Sequence, residues 1–149
     1  MDQKKIFLRA VEPGDMDLLY RWANDTNVRQ NSFQTAPIPY EDHEKWLKLH
    51  LNDDTCIFYI LMVDDKPIGQ IRLTTVGGFA EINYSIDALW RGKGYGGEMI
   101  RLVVEEVKRN YPSIKILTAK VKPGNIPSAK CFENNNFVKA FEEFKLELG

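Results

Sequence analysis

Phe79-Ala80-Glu81-Ile82-Asn83-Tyr84-Ser85-Ile86-Asp87-Ala88-Leu89-Trp90-Arg91-Gly92-Lys93-Gly94-Tyr95-Gly96-Gly97 reads as a strand, a basic glycine loop and the start of a helix. Ala80, Ile82, Tyr84 and Ile86 alternate with Glu81, Asn83 and Ser85, the period-two pattern of a strand with two unlike faces. Gly92, Gly94, Gly96 and Gly97 follow, allowing a tight turn and a close approach of backbone to ligand. Ile100, Val103, Val104 and Val107 then recur at helical spacing. The loop therefore ends in the free amides of a helix N-terminus, a natural seat for phosphate, with Arg91 and Lys93 adding positive charge.

Working outward, Ile6 to Val11 reads as a first strand, and Asp15 in the turn Pro13-Gly14-Asp15 is placed to cap a helix carrying Leu18, Leu19 and Trp22. That helix is expected to end near Asn24-Asp25. The polar segment up to Pro39 reads as a loop or broken helix. Tyr40 to Leu51 reads as a second helix, apolar along Trp46, Leu47 and Leu51 and acidic in its first turn. Cys56 to Val63 is a nearly continuous apolar run, and Ile68 to Val76 is its hairpin partner across Asp64-Asp65-Lys66-Pro67. After the helix that ends around Asn110, the pattern predicts a strand over Lys115 to Val121 and a short helix over Ser128 to Asn134. Phe137 to Leu148 reads as one strand or two short ones. The order β, α, α, three strands in a meander, then α, β, α, β describes an α/β (α+β) protein, a mixed sheet with helices packed on it.

The chain of 149 residues reads as a single domain, 1–149, long enough to bury a core without disulfides or metals. With 44% hydrophobic and 28% charged residues and a formal charge of −1, it offers no broad attraction to nucleic acid or to anionic membrane. Charge-driven binding must be local. Met1-Asp2-Gln3-Lys4-Lys5 leads directly into a strand-like segment, with no signal-peptide apolar core, and the longest apolar run is too short to span a bilayer. A cytoplasmic location is expected. Cys56 and Cys131 read as reduced thiols, and no metal site is expected.

Gly92, Gly94 and Gly97 formally satisfy the dinucleotide fingerprint G-x-G-x-x-G. That fingerprint also asks for an acidic residue at the end of the next strand, where this chain reads Ile116-Leu117-Thr118-Ala119-Lys120. A phosphate loop of the Gly-Lys-Ser/Thr kind is absent as well. The stretch instead resembles the pyrophosphate loop of the GNAT superfamily of acyl-CoA N-acyltransferases, of the form Arg or Gln, x, x, Gly, x, Gly or Ala, which Arg91, Gly94 and Gly96 match. A second pattern of that family, Asn-x-x-Ser/Ala-x-x-x-Tyr/Phe, is met by Asn125, Ser128 and Phe132, and the element order matches over nearly the whole chain. The resemblance implies a GNAT-like, mainly antiparallel sheet of six to seven strands flanked by about four helices. It also implies acetyl-CoA as cosubstrate, held by Tyr84, Ile86, Arg91, Gly92, Lys93, Gly94, Tyr95, Gly96, Gly97, Asn125 and Ser128.

Acetyl transfer to an amine in a ternary complex needs a neutral nucleophile, a polarised thioester carbonyl and a stabilised leaving thiolate. The resemblance makes Glu81 the candidate catalytic base, acting through water; the alternative is that Glu81 pairs with a neighbouring strand residue such as Arg72. Many family members carry tyrosine where this chain has Phe132, and Phe cannot donate a proton. Tyr84, Tyr95, Ser128 or a water are the substitutes to consider. Cys131 reads as a packed thiol rather than an acetyl carrier.

The acceptor side should be built by the first two helices and their connection, with Trp22, Asn24, Asn31, Ser32, Phe33 and His43 as candidate substrate-binding residues. The stretch from Trp22 to His43, together with Val121-Lys122-Pro123 and Asn125-Ile126 before Ser128, resembles a subgroup that acetylates amino sugars on nucleotide carriers for surface polysaccharides, including pseudaminic acid. The implied substrate is a nucleotide-linked amino sugar. A protein N-terminal acetyltransferase of the ribosomal-protein type is the alternative enzyme, and an acetyl-CoA-binding module without turnover is the alternative outside catalysis. Exposed C-terminal edge strands would permit a homodimer without requiring one.

Overall fold

The computed structural model describes residues 3–149. Its elements are β1 (Ile6–Ala10), α1 (Met16–Ala23), α2 (Thr26–Gln30), α3 (Tyr40–Leu51), β2 (Cys56–Val63), β3 (Lys66–Val76), β4 (Phe79–Ile86), α4 (Tyr95–Asn110), β5 (Ile116–Ala119) and α5 (Ile126–Glu133). The five strands form one sheet in the order β1-β2-β3-β4-β5. The first four are antiparallel, and β4 pairs with β5 in parallel. This is the expected mixed α/β class, with five strands instead of six or seven.

The two sides of the sheet follow from the sequence pattern. Along β2, Ile57, Leu61 and Val63 pack toward α4 with Ile71, Leu73, Ala80, Ile82, Met99, Ile100 and Val103. Phe58, Ile60 and Met62 point the other way, into a second core with Leu19, Trp22 and Leu47. The continuous apolar run at Cys56 to Val63 is thus a strand buried on both faces. Ile71, Met99, Ile100 and Val103 are fully buried, each stabilising the fold by about 1.5–3 kcal/mol relative to an exposed position. On β3 and β4 the second face is polar: Gln70, Arg72 and Thr74 lie opposite Ser85, Asn83 and Glu81. Helices α1 to α3 cover the β2 part of that face and leave the β3–β4 part as the floor of a cleft.

Several local expectations change. Asp15 does not cap α1 with its side chain. Its carboxylate accepts from both terminal nitrogens of Arg9, at 2.9 and 2.8 Å, and from the Glu12 amide at 2.8 Å, because a guanidinium offers a two-pronged, charged donor that helix amides do not match. The strand expected over Lys115 to Val121 is only Ile116–Ala119, and α5 begins two residues early, with Asn125 at its cap. No strand forms over Phe137 to Leu148. Phe144, Leu146 and Leu148 alternate as a strand should, yet they are 82–92% exposed. Alternation supplies propensity only, and without a partner edge an extended segment has no ladder to stabilise it. The C-terminal edge strands invoked for a homodimer are therefore not formed, and β1 and β5 are the sheet's two edges. Among the described residues, no helix is long and apolar enough to cross a membrane.

Candidate active site

A cleft of about 1120 Å³ opens over the polar part of the sheet. Gln70, Arg72, Asn83 and Ser85 form its floor, α1 to α3 one wall, and the glycine loop with α5 the other. On the floor, Gln70 Nε2 donates to Ser85 Oγ at 3.1 Å.

The glycine loop is positioned by its backbone. Gly94 caps α4 with a φ of 86°, a conformation that side chains with a Cβ rarely adopt. The first amide bonded within the α4 turn is that of Glu98, to the Gly94 carbonyl at 3.2 Å, so the amides of Tyr95, Gly96 and Gly97 have no partner within the helix. Gly96 is closely packed: a Cβ there would lie 3.2 Å from Cys131 Sγ and 3.4 Å from the Tyr84 ring. Close packing of α4 on α5 and β4 thereby brings the helix N-terminus to the cleft.

Strands β4 and β5 pair only from Phe79 to Ile82, against Ile116 to Ala119. Beyond that point they part, and Asn83 to Ile86 have no strand partner on the β5 side. Ile86 O accepts from Arg91 Nε at 2.9 Å, whereas the Asp87 amide turns toward β3 and bonds Ile68 O at 2.8 Å. Alternation then directs the N–H and C=O of Tyr84 into the opening. The Tyr84 hydroxyl donates to Ser128 Oγ at 3.0 Å, and its ring packs edge-on against Phe132 at 5.6 Å. Burial outweighs the opposing Ser128 contact and pushes the Tyr84 phenol well above its ordinary value, keeping it protonated.

Of the residues anticipated for the coenzyme, Tyr84, Ile86, Arg91, Gly92, Gly94, Tyr95, Gly96, Asn125 and Ser128 line the cleft. Lys93 and Gly97 do not. Lys93 Nζ lies 5.4 Å from the Trp90 ring centroid, and the Gly97 carbonyl accepts from Asn135 Nδ2 at 3.1 Å. The Arg91 side chain is engaged inside the protein, bonding Asp25 Oδ1 at 2.8 Å in addition to Ile86 O. Burial opposes ionisation of Asp25, but the Arg91 bond and the capped Val28 amide prevail and hold its carboxyl below the ordinary value.

Of the residues anticipated for the acceptor, Trp22, Asn31, Ser32, Phe33 and His43 line the cleft, and Asn24 does not. Asn24 clamps the loop instead, donating to Ile38 O at 2.9 Å and accepting from the Ile38 amide at 2.7 Å. Trp22 is a buried anchor whose Nε1 donates to Asp87 Oδ2 at 2.8 Å. Phe33 is 68% exposed at the mouth. His43 is buried between Tyr20 and Trp46, with ring centroids 5.6 Å away on both sides. Burial lowers its pKa against an opposing backbone hydrogen bond at Met16, which favours the neutral ring.

Glu81 is half exposed, and its Oε2 lies 3.8 Å from Lys120 Nζ rather than on Arg72. It borders a smaller depression of about 230 Å³ with Arg72, Thr74, Val76 and Asn83, which adjoins the cleft because Arg72 and Asn83 line both. Arg72 itself is a floor residue that sequence reasoning overlooked. The signal was available, since Gln70, Arg72 and Thr74 alternate with buried Ile71 and Leu73.

Comparison with known proteins identifies the family and the fold. The family model for the acetyltransferase (GNAT) domain matches residues 5–138. Acetyltransferase PseH of Campylobacter jejuni is 22% identical over 123 residues, covering 83% of this chain and 76% of that protein. A domain from Methanocaldococcus jannaschii shares the fold with a TM-score of 0.83 at 22% identity, over 95% of this chain and 93% of that one. Spermidine N-acetyltransferase from Vibrio cholerae, solved with CoA and spermine, gives a TM-score of 0.82 at 21% identity, over 95% and 88% of the two chains. A parted pair of strands leading to unbonded amides at a glycine-capped helix suits the thioester arm and pyrophosphate of acetyl-CoA, and this chain belongs to the GNAT acetyltransferase family, as an acyltransferase that uses acetyl-CoA.

Proposed function

We propose that this acetyl-CoA-dependent N-acetyltransferase acts on the amino group of a nucleotide-linked amino sugar, by direct transfer in a ternary complex. The observation that carries the reading is the continuity of the β4–β5 opening with a roomy cleft walled by amide and aromatic side chains. The amino-sugar part is supported by the resemblance of the Trp22-to-His43 stretch and by the match to PseH.

Acetyl-CoA supplies an activated thioester carbonyl. The amides of Tyr95, Gly96 and Gly97 bind its pyrophosphate, assisted by the charge at a helix N-terminus. The open-edge N–H and C=O of Tyr84 hold the pantetheine arm as a strand would be held, with Asn125 and Ser128 on the opposite side. Arg91 shapes this seat by tying Ile86 to Asp25. Glu81 accepts the proton of the incoming ammonium group through water, which its exposed position at the end of the floor allows. With Phe132 unable to donate, the Tyr84 hydroxyl and Ser128 Oγ deliver a proton to the departing thiolate.

Thiol release from acetyl-CoA across nucleotide-linked amino sugars and N-terminal peptides, with wild type and Glu81→Gln, tests the reading. Turnover of an amino sugar that falls about 10²-fold or more in the variant supports both substrate and base. Turnover of peptides alone assigns the protein N-terminal reaction instead. Coenzyme binding with no turnover of any amine identifies a binding module.

A further inference from the structure

The cleft holds two guanidinium groups without a carboxylate. Its ionisable lining comprises Arg29, Arg72, Arg91 and Lys120, with His43, against the single acid Asp42. Arg91 is neutralised by Asp25 at 2.8 Å and Lys120 faces Glu81 at 3.8 Å. Arg72 and Arg29 form no ion pair among the described residues, Glu81 acting on Arg72 only at longer range from beside the smaller depression, and the Nε of each is buried without a hydrogen-bond acceptor. Arg29 directs its terminal nitrogens to the carbonyls of Gln34 and Ala36 and to Ser32 Oγ, which are neutral groups. The Arg72 guanidinium lies 4.8 Å from the Trp46 ring centroid and 6.0 Å from that of Phe58.

Burying an unpaired charge is costly, and ring faces offset only part of that cost. Burial lowers the pKa of both arginines, for Arg72 against the opposing pull of Cys56 and Glu81. Arg72 is half-buried on the cleft floor with its Nε unsatisfied, and a charge held there without an ion-pair partner points to an anion that arrives with a ligand. Its place in the fold says which ligand. Arg72 stands opposite Asn83 on the polar sheet face, between the α3 aromatics and the floor, whereas the open-edge groups of Tyr84 and the α4 amides lie on the coenzyme side.

We propose that the acceptor is an anion, and that Arg72 binds its phosphate oxygens, with Arg29 adding positive potential from α2. Arg72 is then a specificity-determining residue that selects against polycationic amines. The proposal rests on the nucleotide-linked amino sugar reading and supplies its recognition chemistry: the planar guanidinium donates two parallel hydrogen bonds to the diphosphate that joins nucleotide and sugar.

The test compares a UDP-linked 4-amino sugar with the same amino sugar lacking UDP, in wild type, Arg72→Gln and Arg72→Lys. Arg72→Gln should lower the preference for the linked sugar, as a ratio of kcat/KM values, about 10-fold or more, chiefly through KM, with coenzyme KM unchanged. Arg72→Lys should recover part of it. Wild type alone gives an independent readout: UDP should compete with the acceptor at a concentration at least about 10-fold below that needed for uridine, and the inhibition should weaken with salt. Equal inhibition by UDP and uridine overturns the proposal, as does an unchanged preference in Arg72→Gln or efficient wild-type turnover of spermine. If wild type ignores amino sugars but acetylates acidic peptides in an Arg72-dependent manner, the substrate reading fails and the anion site stands.

Discussion

Gly96 is where the proposed coenzyme seat, α5 and β4 meet, and replacing it with alanine sets three effects of similar size against one another. A Cβ at this position would lie 3.2 Å from Cys131 Sγ, 3.4 Å from Tyr84 Cε2 and 3.9 Å from Ile86 Cγ1. The helix gains about 0.5–1 kcal/mol when glycine becomes alanine. Overpacking a well-filled contact costs about 1–3 kcal/mol, so Gly96→Ala should be destabilised by up to about 2 kcal/mol, at most about 4–8 °C in Tm for a domain of this size. Where the Cys131 and Tyr84 side chains do not give, the contact relaxes by moving α4 from α5 by a few tenths of an ångström, which shifts the amides proposed to hold the pyrophosphate. Losing one hydrogen bond to a charged group costs about 1.5–3 kcal/mol, so CoA binding should weaken about 10-fold or more. Cys131→Ala removes the sulfur that causes the tightest contact. In a double-mutant cycle it should therefore recover most of the Tm loss and much of the affinity. Thermal unfolding and calorimetric titration with CoA measure both. A Gly96→Ala protein as stable as wild type with unchanged Kd would refute the reasoning, and so would a cycle with no coupling between Gly96 and Cys131.

Tyr84→Phe removes the hydroxyl bonded to Ser128 while keeping the ring against Phe132; kcat should fall about 10²-fold with little change in coenzyme KM, and an unchanged kcat would remove Tyr84 from proton delivery. The Arg9 hydrogen bonds, outweighing the opposing effect of burial, hold the Asp15 carboxyl below its ordinary value. A depressed folded-state pKa stabilises above the unfolded value, near pH 3.9, and that stabilisation is lost as pH falls through the lower folded value. Thermal unfolding should therefore show wild type losing Tm more steeply than Asp15→Asn below about pH 4, and parallel curves would contradict this.

Much of the fold was legible because burial imposes a period. The alternation from Ala80 to Ile86 and the unbroken run from Cys56 to Val63 each state how many faces of a strand are covered, and the structure agrees. The glycine loop was legible because few other residues tolerate the backbone at Gly92 and Gly94, where φ is 75° and 86°. Partners between distant side chains were not legible. Arg91 matches a loop motif by position, yet its guanidinium goes to Asp25; Glu81 finds Lys120 rather than Arg72. Such pairings depend on three-dimensional closeness and on competition among several charged groups within reach. The tail failed for a related reason: Phe144, Leu146 and Leu148 carry a strand's alternation, but pairing requires a second edge that local sequence does not describe.

The bonds from Trp22 to Asp87 and from Arg91 to Asp25 join positions 65 and 66 residues apart in the chain. Both fasten the α1–α2 wall of the cleft to the turn between β4 and α4. In folding terms that wall has little to hold it until the central meander has formed, because closing so long a loop is entropically unfavourable and only contacts made at the end repay it. The wall should thus be a late-assembling part of the molecule, and damage at either fastening would loosen that side of the cleft while leaving the sheet standing.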